Sequence, residues 1–289
     1  MPGCSAALDR NASVSSALIL YHAECVDGFT AAWAAWRALG SRAEYLPVHH
    51  GASPPAVSGR DVVMLDFAYP RAISLTLADQ AHSLLVLDHH KTALEELGDL
   101  PFARLDMQQS GAGLAWRHYH PHTVVPRLVQ TVEDGDLWRH SFSDTRAVYL
   151  RLTYEPRTFA NWDRIAQNTS TLAGFQAFAA EGRVLQAERD FQVERLLLRS
   201  FEVDLGGERG LAAEAPAAYR SEVGHRLAER SRSFGLVWYP RGRGYRVSLR
   251  SLGDYDVERL ARRFGGGGHR NAAGFTLADR GMVRVVLGR

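Results

Sequence analysis

The 289-residue chain has only two cysteines, Cys4 and Cys25, and no apolar run that approaches the roughly 18 residues of a transmembrane helix. We therefore expect neither a disulfide framework nor a membrane-spanning protein. The first residues, MPGCSAALDRNASVSS, lack the basic start and the apolar core of a signal peptide, so we expect a cytoplasmic protein. With 46% hydrophobic and 23% charged residues, the composition is typical of a globular protein.

Lysine is almost absent as well, since Lys91 is the one lysine in the chain. Residues 220–289 contain 15 arginines and six acidic residues, which gives this segment a net charge of +9. The whole chain has a formal net charge of +2, so the first 219 residues sum to −7. One interpretation is a solvated charge distribution in an arginine-rich protein. The other is that the basic segment attracts phosphates and the acidic segment holds cations.

Apolar runs alternate with helical patterns near the start of the chain. Strands are predicted at 16–22, 61–67 and 84–90, and helices at 27–40 and 69–82. Near-continuous apolar strands that alternate with helices are typical of a parallel sheet covered on both faces. The predicted fold class is therefore α/β.

Each predicted strand ends in polar residues. His22 ends the first, Asp66 lies at the end of the second, and Asp88, His89 and His90 end the third. A single Asp after a strand is usually an N-cap or a turn residue. Because ligands gather beyond the carboxyl ends of parallel strands, the set together predicts a metal site at one edge of the sheet.

A fourth candidate is the segment VEDGDLWRH (132–140), a predicted loop that offers Asp134 and Asp136. Imidazole and carboxylate donors without a thiolate cluster favour Mn²⁺, Fe²⁺, Co²⁺ or Mg²⁺ over a closed structural zinc site. Several carboxylates would be needed to neutralise two bridged ions, which suit the attack of activated water on phosphorus.

The C-terminal part contains a glycine run in RRFGGGGHRNAAGF (262–275). Glycines let backbone amides approach a ligand, and the HRNAAG segment is expected to open a helix whose N-terminus binds an anion. A flexible turn is the alternative. Flanking arginines and the predicted strand YRVSLRS (245–251), which carries Arg246 and Arg250, favour phosphate binding.

The motifs VLDHHK and GGGGHRNAAGF, in this order and at this separation, strongly resemble the DHH phosphoesterase superfamily. The resemblance is to members that pair the DHH catalytic domain with the DHH-associated C-terminal domain, such as nanoRNases and RecJ-type exonucleases. It implies a parallel-sheet catalytic domain joined by a helical connector to a smaller α/β substrate-binding domain. The implied divisions are a flexible tail at 1–15, the catalytic domain at 16–170, the connector at 171–200 and the substrate-binding domain at 201–289.

The resemblance also implies roles for individual residues. The implied metal ligands are His22, Asp27, Asp66, His89 and Asp134. Asp66 would bridge two ions, His90 would contact the substrate phosphate, and Asp88 would orient the histidines. The implied substrate-binding residues are Arg250, Gly266, Gly267, Gly268, His269 and Arg270. Asp134 is preferred to Asp136 because the family places an aromatic residue four positions after the liganding Asp, where Trp138 stands; Asp136 is expected to be structural.

One position departs from the family. Its first motif usually supplies two aspartates two residues apart, and here the earlier position holds Cys25. There are three alternatives. Cys25 or Glu24 takes the place of the missing aspartate as a ligand, the first metal position is weakened, or the protein works with one tightly held ion. These alternatives stay open from the sequence alone.

The implied activity is hydrolysis of short single-stranded RNA by metal-activated water, with one or two Mn²⁺ ions, or Mg²⁺ or Co²⁺ in their place. Alternatives are phosphomonoester hydrolysis of 3′-phosphoadenosine 5′-phosphate, cleavage of signalling dinucleotides, and a non-catalytic nucleotide-binding protein. The expected partners are short RNA or a small nucleotide, with no membrane and no long duplex DNA; a homodimer is left open.

Overall fold

The computed structural model describes residues 17–49 and 51–288, apart from the side chain of residue 285. The predicted tail at 1–15 therefore lies outside the described residues. The chain divides into two compact units, which meet in sequence between Arg183 and Val184. Each unit has its own sheet. Among the described helices, none is long and apolar enough to cross a membrane.

The first unit is built on a parallel sheet of five strands in the order β2-β1-β3-β4-β5. Its strands are β1 Ala17–His22, β2 Ala43–Val48, β3 Asp61–Leu65, β4 Ser83–Asp88 and β5 Ala103–Leu105. Its helices are α1 Val26–Leu39, α2 Arg71–Gln80, α3 Lys91–Leu97, α4 Gly111–Tyr119, α5 Arg127–Asp136, α6 Thr145–Thr153 and α7 Phe159–Ser170. The three strands predicted from apolar runs are confirmed, and β2 and β5 are additional.

The apolar runs are continuous because both faces of this sheet are covered. Successive residues of a strand point to opposite faces. Ile19, Leu65 and Leu87 pack in one cluster with the side chains of α1, α4 and α5, whereas Leu20, Met64 and Val86 pack in another with Leu77 and Leu97. Burial on both faces thus holds the strand ends in fixed register at one edge.

The segment predicted as a connector, 171–200, is occupied by the long helix α8, Leu172–Leu197. The predicted domain boundaries themselves stay a prediction. The second unit begins within this helix, at Val184, and its six-stranded sheet has the order β10-β11-β9-β8-β7-β6. Its elements are β6 Phe201–Leu205, β7 Glu208–Glu214, α9 Arg220–Ser231, β8 Phe234–Arg241, β9 Gly244–Ser251, α10 Val257–Arg262, β10 Gly267–His269, β11 Ala272–Leu277 and α11 Arg280–Leu287.

The predicted α/β fold, with a parallel sheet followed by a smaller mixed unit, is confirmed. In the second sheet all neighbours are antiparallel except β7 and β8, which are parallel. One local prediction is wrong. The HRNAAG segment forms part of the β10–β11 hairpin rather than opening a helix.

Candidate metal centre

The ends of three parallel strands bring polar side chains to one edge of the first sheet. His22 ends β1, Asp66 directly follows β3, and Asp88 ends β4 and is followed by His89 and His90. Since β3 pairs in parallel with both β1 and β4, these ends lie side by side. The structure therefore brings together the strand-end residues that the sequence singled out.

Among the described residues, three groups of side chains have ligand atoms within 4.8 Å of one another. They are His22, Cys25 and Asp66; Asp27, His89 and Asp136; and Asp66, Asp88, His89 and His90. These are donor atoms that divalent cations accept. The arrangement is a candidate metal centre assembled from distant parts of the chain.

Asp66 connects these groups. Its Oδ1 lies 3.2 Å from Nε2 of His89, and its Oδ2 lies 3.4 Å from Nδ1 of His22. Its backbone is in the left-handed region, with φ of 63°; this conformation is unfavourable for a non-glycine residue but is tolerated by Asp. The side chain is buried, and Oδ2 accepts no hydrogen bond from the described residues. A buried carboxylate oxygen without a donor fits a metal ligand.

Asp27, in the first turn of α1, is fixed by the start of α4. Its Oδ2 accepts a hydrogen bond from the amide of Gly111 at 2.6 Å, and its Oδ1 accepts one from Ala112 at 3.0 Å. A Cβ on Gly111 would lie 2.5 Å from Cβ of Asp66, so only glycine permits this approach. Sequence reasoning missed Gly111. Ser110 marks the start of α4, where its side chain accepts a hydrogen bond from Gly113, but no local pattern links Gly111 to Asp66.

His89 and Asp136 complete the second group. Nε2 of His89 lies 3.4 Å from Oδ2 of Asp136 and 4.0 Å from Oδ2 of Asp27. The hydroxyl of Tyr149 donates to Oδ1 of Asp136 at 3.4 Å. Tyr149 carried no signal in the sequence that linked it to the site. Asp136 ends α5, so a helix rather than the predicted loop delivers this carboxylate.

Negative charges crowd this centre. Burial, followed by the charges of Asp66 and Asp136, raises the pKa of Asp27 well above its usual range. Burial and the charge of Asp66 raise the pKa of Asp136 to about 6. For Asp66, burial favours the neutral form, but contacts with His22 and His89 outweigh it and lower the pKa. A divalent cation would relieve this repulsion, so the residues present fit one.

The two histidines of the DHH motif differ in their surroundings. Burial opposes charge on His89, but the hydrogen bond to Asp66 and the nearby carboxylates raise its pKa to about 10. Oδ1 of Asp88 lies 2.7 Å from Nδ1 of His90 and accepts the backbone amide of His89 at 2.8 Å. Asp88 is therefore placed to orient the ring of His90, as predicted. The ring of His89 contacts Asp66 instead.

The structure places Asp134 outside the donor groups found among the described residues. Its carboxylate accepts hydrogen bonds from Thr145 Oγ1 and from the amides of Ser141 and Phe142, at 2.5, 2.9 and 3.3 Å. Residues two apart on a helix point about 200° from each other, so only one of the pair can face the cluster. That residue is Asp136, which had been expected to be structural. Asp134 instead holds the segment after α5.

A cavity of about 260 Å³ adjoins the cluster. One part of its wall is polar and includes His22, Asp66, Asp88 and His90. The other part is mostly apolar and comes from the end of β2, the segment between β3 and α2, and α3. It is formed by Val48, Phe67, Ala68, Tyr69, Pro70, Thr92, Ala93 and Glu96. The cavity can therefore hold a small ligand with a charged end against the candidate metal centre.

The predicted substrate-binding residues all lie in the second unit. His269 pairs with Ala272 across β10–β11, and Ala272 pairs with Arg250 across β11–β9, so the three share one face of the sheet. Arg250 donates to Ser221 Oγ, Ser248 Oγ and the carbonyl of Leu249. Burial, then the charge of Arg220, lowers the pKa of Arg250 to about 10.

The glycine run is less open than expected. Gly267 and Gly268 are paired with β11, and the amide of Gly266 donates to the carbonyl of Ala261. Arg270, at the hairpin turn, forms an ion pair with Asp254 at 3.1 Å. The structure thus places Arg250 and His269 in one row and Arg270 in an exposed ion pair.

Residues 218–287 match the DHHA1 domain family. Over 289 aligned positions, the chain is 27% identical to the uncharacterized protein R106 of Acanthamoeba polyphaga mimivirus; the match covers 90% of this chain and 67% of R106. It is 26% identical over 211 positions to the oligoribonuclease NrnB of Bacillus subtilis strain 168, and this match covers 67% of the chain but only 53% of NrnB.

The fold is also similar to that of PggH from Vibrio cholerae, a pGpG-specific phosphodiesterase. The TM-score is 0.53 at 13% sequence identity, over 93% of this chain and 96% of PggH. The similarity extends over both units, and the DHH motif stands at the end of β4, beside the donor cluster. Residues 218–287 thus match a DHHA1 domain, and these similarities together support the predicted resemblance to DHH superfamily phosphoesterases that carry this domain.

Proposed function

We propose that the chain hydrolyses phosphodiester bonds of short RNA oligonucleotides with the help of divalent metal ions. The observation that carries this proposal is the position of the Asp66 carboxylate. One oxygen lies beside His89 and the other beside His22, and each histidine belongs to a different donor group. A carboxylate so placed suits two neighbouring cations, which is the arrangement used by many phosphoesterases.

The residues that would hold the ions are His22, Asp27, Asp66, His89 and Asp136. Mn²⁺ suits imidazole and carboxylate donors, and Mg²⁺ and Co²⁺ are the alternatives. When bound, the ions lower the pKa of water and take up negative charge on the phosphate oxygens. Asp136 replaces Asp134 in the set that the sequence predicted.

His90 is proposed to bind the phosphate. Burial opposes the charged form of its ring, but the hydrogen bond to Asp88 and the charges of Asp88 and Asp66 raise its pKa. The ring is therefore cationic more often at neutral pH than an ordinary histidine, and it lines the cavity. A cationic imidazole attracts phosphoryl oxygens and stabilises negative charge that develops on them. Asp88 acts as the positioning residue.

The size of the cavity favours a small substrate. About 260 Å³ is enough for part of a nucleotide but not for a stretch of nucleic acid. The apolar wall beside Phe67 and Tyr69 suits a base or sugar, with the phosphate against His90. In the second unit, Arg250 is proposed to bind another phosphate, because its planar guanidinium can donate two hydrogen bonds to one anion.

The similarity to NrnB supports short RNA as the substrate. A second candidate is a linear dinucleotide such as pGpG, which the fold similarity to PggH favours. In both substrates the phosphodiester that is cleaved lies near an end of the oligonucleotide, and both suit a cavity of this size. The two differ in the bases that must be recognised.

The test is hydrolysis of a 5′-labelled RNA dinucleotide, pGpG and a long single-stranded RNA, each with Mn²⁺ and with chelator. Wild type is compared with His89→Ala and with the control His122→Ala, an exposed histidine outside the cluster. We expect rapid metal-dependent cleavage of dinucleotides, slow cleavage of the long RNA, and loss of activity only in His89→Ala. Cleavage of pGpG alone would favour the second candidate.

Other outcomes contradict the proposal. Turnover of 3′-phosphoadenosine 5′-phosphate without cleavage of any RNA would make the protein a phosphomonoesterase. Binding of nucleotides without turnover, under any divalent metal, would make it a non-catalytic nucleotide-binding protein.

A further inference from the structure

Cys25 occupies the position where the resemblance to the DHH superfamily implies an aspartate, and the structure shows what surrounds it. Its Sγ, a ring nitrogen of His22 and a carboxylate oxygen of Asp66 all lie within 4.8 Å of one another. Cys25 is the N-cap residue of α1, but its side chain makes no capping hydrogen bond. The thiol therefore lies within the donor group.

Glu24, the other candidate for this position, is placed differently. It is exposed, its backbone is left-handed with φ of 56°, and its carbonyl accepts a hydrogen bond from Arg157 at 3.3 Å. It belongs to none of the donor groups found among the described residues. The alternative that Glu24 supplies the missing carboxylate is not supported.

Independent support comes from Asp66. Its Oδ2 is buried, accepts no hydrogen bond from the described residues, and has Nδ1 of His22 3.4 Å away. A buried carboxylate oxygen that lacks a donor costs free energy unless a ligand satisfies it. Gly28 permits the close approach of His22, since an added Cβ would lie 2.4 Å from the carbonyl oxygen of His22 and 3.1 Å from Oδ2 of Asp66. These features indicate a cation position formed by His22, Cys25 and Asp66.

We propose that the thiolate of Cys25 is a metal ligand, together with His22 and Asp66, in the place where the family uses a carboxylate. The proposal rests on the proposed metal-dependent function. On binding, the thiol loses its proton to solvent and the sulfur lone pair is donated to the cation. The centre is then mixed, with one position containing sulfur and the other, formed by Asp27, His89 and Asp136, containing nitrogen and oxygen.

The consequence is a change in metal preference. Thiolate is a soft donor, which favours Co²⁺ and Zn²⁺, whereas carboxylate suits Mg²⁺ and Mn²⁺. Compared with wild type, Cys25→Asp should therefore bind Mg²⁺ and Mn²⁺ more tightly relative to Co²⁺. Because it restores the family pattern of two aspartates two residues apart, this variant is expected to keep a complete donor set.

The experiment is a Co²⁺ titration of the full chain followed by absorption spectroscopy. All proteins carry Cys4→Ser, which leaves Cys25 as the only thiol among the two cysteines of the chain. We expect a sulfur-to-cobalt charge-transfer band that is present with Cys25 and absent in Cys25→Ser and Cys25→Asp. Loss of the sulfur ligand in Cys25→Ser should weaken Co²⁺ binding at that position by at least about tenfold.

A second measurement does not depend on the variants' folding. In the Cys4→Ser protein, Co²⁺ should slow the reaction of Cys25 with a thiol reagent by about tenfold or more, because the thiolate is held by the ion. The same protection should be lost in Asp66→Asn, which removes a carboxylate from the same group.

The failures are distinguishable. Co²⁺ binding and metal-dependent hydrolysis without a charge-transfer band, and with unchanged thiol reactivity, would overturn the role of Cys25 and leave the proposed function standing. No binding of Co²⁺ to the wild-type cluster would overturn both.

Discussion

The two units treat buried charge in opposite ways. In the first, carboxylates crowd at the ends of parallel strands, and burial together with mutual repulsion raises the pKa of Asp27 and Asp136. In the second, the guanidinium of Arg250 lies among neutral oxygens, and burial together with Arg220 lowers its pKa. Each group is thus held in surroundings that disfavour its charge. A cation would relieve the first and an anion the second.

The architectures explain the difference. Parallel strands deliver their carboxyl ends to one edge, where short side chains from separate segments can meet around an ion. The antiparallel second sheet instead aligns Arg250 and His269 across three strands on one face, where long side chains can reach a phosphate. The contrast predicts that variants in the first unit change metal binding and that variants in the second change substrate binding alone.

The largest effect should follow Asp66→Asn. The amide keeps the shape of the side chain but removes the charge between His22 and His89, so Mn²⁺ binding should weaken and kcat/KM should fall by at least about 100-fold. The measurements are Mn²⁺ titration and dinucleotide hydrolysis. The control is Asp61→Asn at the amino end of the same strand, where Asp61 accepts a hydrogen bond from Ser83. Near-wild-type metal binding in Asp66→Asn would show that this carboxylate does not hold the metal in the first unit.

Asp136→Asn and Asp134→Asn should separate function from stability. With Mn²⁺ bound, we expect Asp136→Asn to lower kcat/KM by about 10- to 100-fold with a small change in stability, because it removes a donor from the cluster. Asp134→Asn should retain metal binding but lose about 1–3 kcal/mol of stability, because it weakens three hydrogen bonds to the segment after α5.

Hydrolysis assays and denaturant unfolding of the same two variants provide the measurement. The stability that Asp134 contributes should also depend on pH. Burial raises its pKa, but the hydrogen bonds from Thr145, Ser141 and Phe142 outweigh this and lower it. Its stabilisation is therefore present at neutral pH and is lost as the pH falls through its depressed pKa. The reverse result, activity lost in Asp134→Asn and kept in Asp136→Asn, would restore the original prediction.

Asp134 and Asp136 also show how much of the site the sequence could predict. The strand ends were predictable, because an apolar run buried on both faces must emerge at the sheet edge, and His22, Asp66 and His89 follow from that rule. Choosing between Asp134 and Asp136 required knowing which side of α5 faces the cluster. The spacing of Trp138 favoured Asp134, which lies outside the donor groups found among the described residues. Gly111 and Tyr149 act through close packing with residues distant in sequence, which local pattern does not encode.

The second unit gives a similar lesson. The glycines and arginines around residues 262–275 predicted an anion site, but they did not predict the backbone conformation of this segment. Pairing of Gly267 and Gly268 with β11 is a long-range choice that overrides the local preference for a turn or a helix start. The row formed by Arg250 and His269 follows from register, which only the folded sheet fixes.

Arg250→Gln should raise KM for a dinucleotide by about tenfold while Mn²⁺ binding is unchanged, since the lost guanidinium is proposed to bind substrate and lies in the second unit, whereas the donor groups lie in the first. Arg246→Gln is the matched control. Arg246 lies on the same strand and donates to Thr276 Oγ1, outside the row of Arg250 and His269. Steady-state kinetics and metal titration check both variants. A fall in kcat without a change in KM would show that the second unit does more than bind.

The smallest effect concerns pH and the metal-free protein. Asp136 has a pKa of about 6, above the value of about 3.9 in an unfolded chain, so its contribution to stability is greatest below pH ~4 and is lost as the pH rises through 6. His89, raised to about 10, contributes fully below pH ~6.5 and progressively less above it. Replacing the titrating carboxyl group of Asp136 should therefore stabilise the metal-free protein at neutral pH but not at pH 4.

In chelator, Asp136→Asn should raise Tm relative to wild type by about 5 °C at pH 7 and by much less at pH 4. Saturating Mn²⁺ should cancel the gain, because the ion stabilises the wild-type carboxylate cluster more than the variant. Thermal unfolding at the two pH values, with and without Mn²⁺, measures the effect of pH and the effect of the metal on the Tm difference. If the Tm difference is independent of both pH and metal, then carboxylate crowding is not what sets the first unit apart from the second.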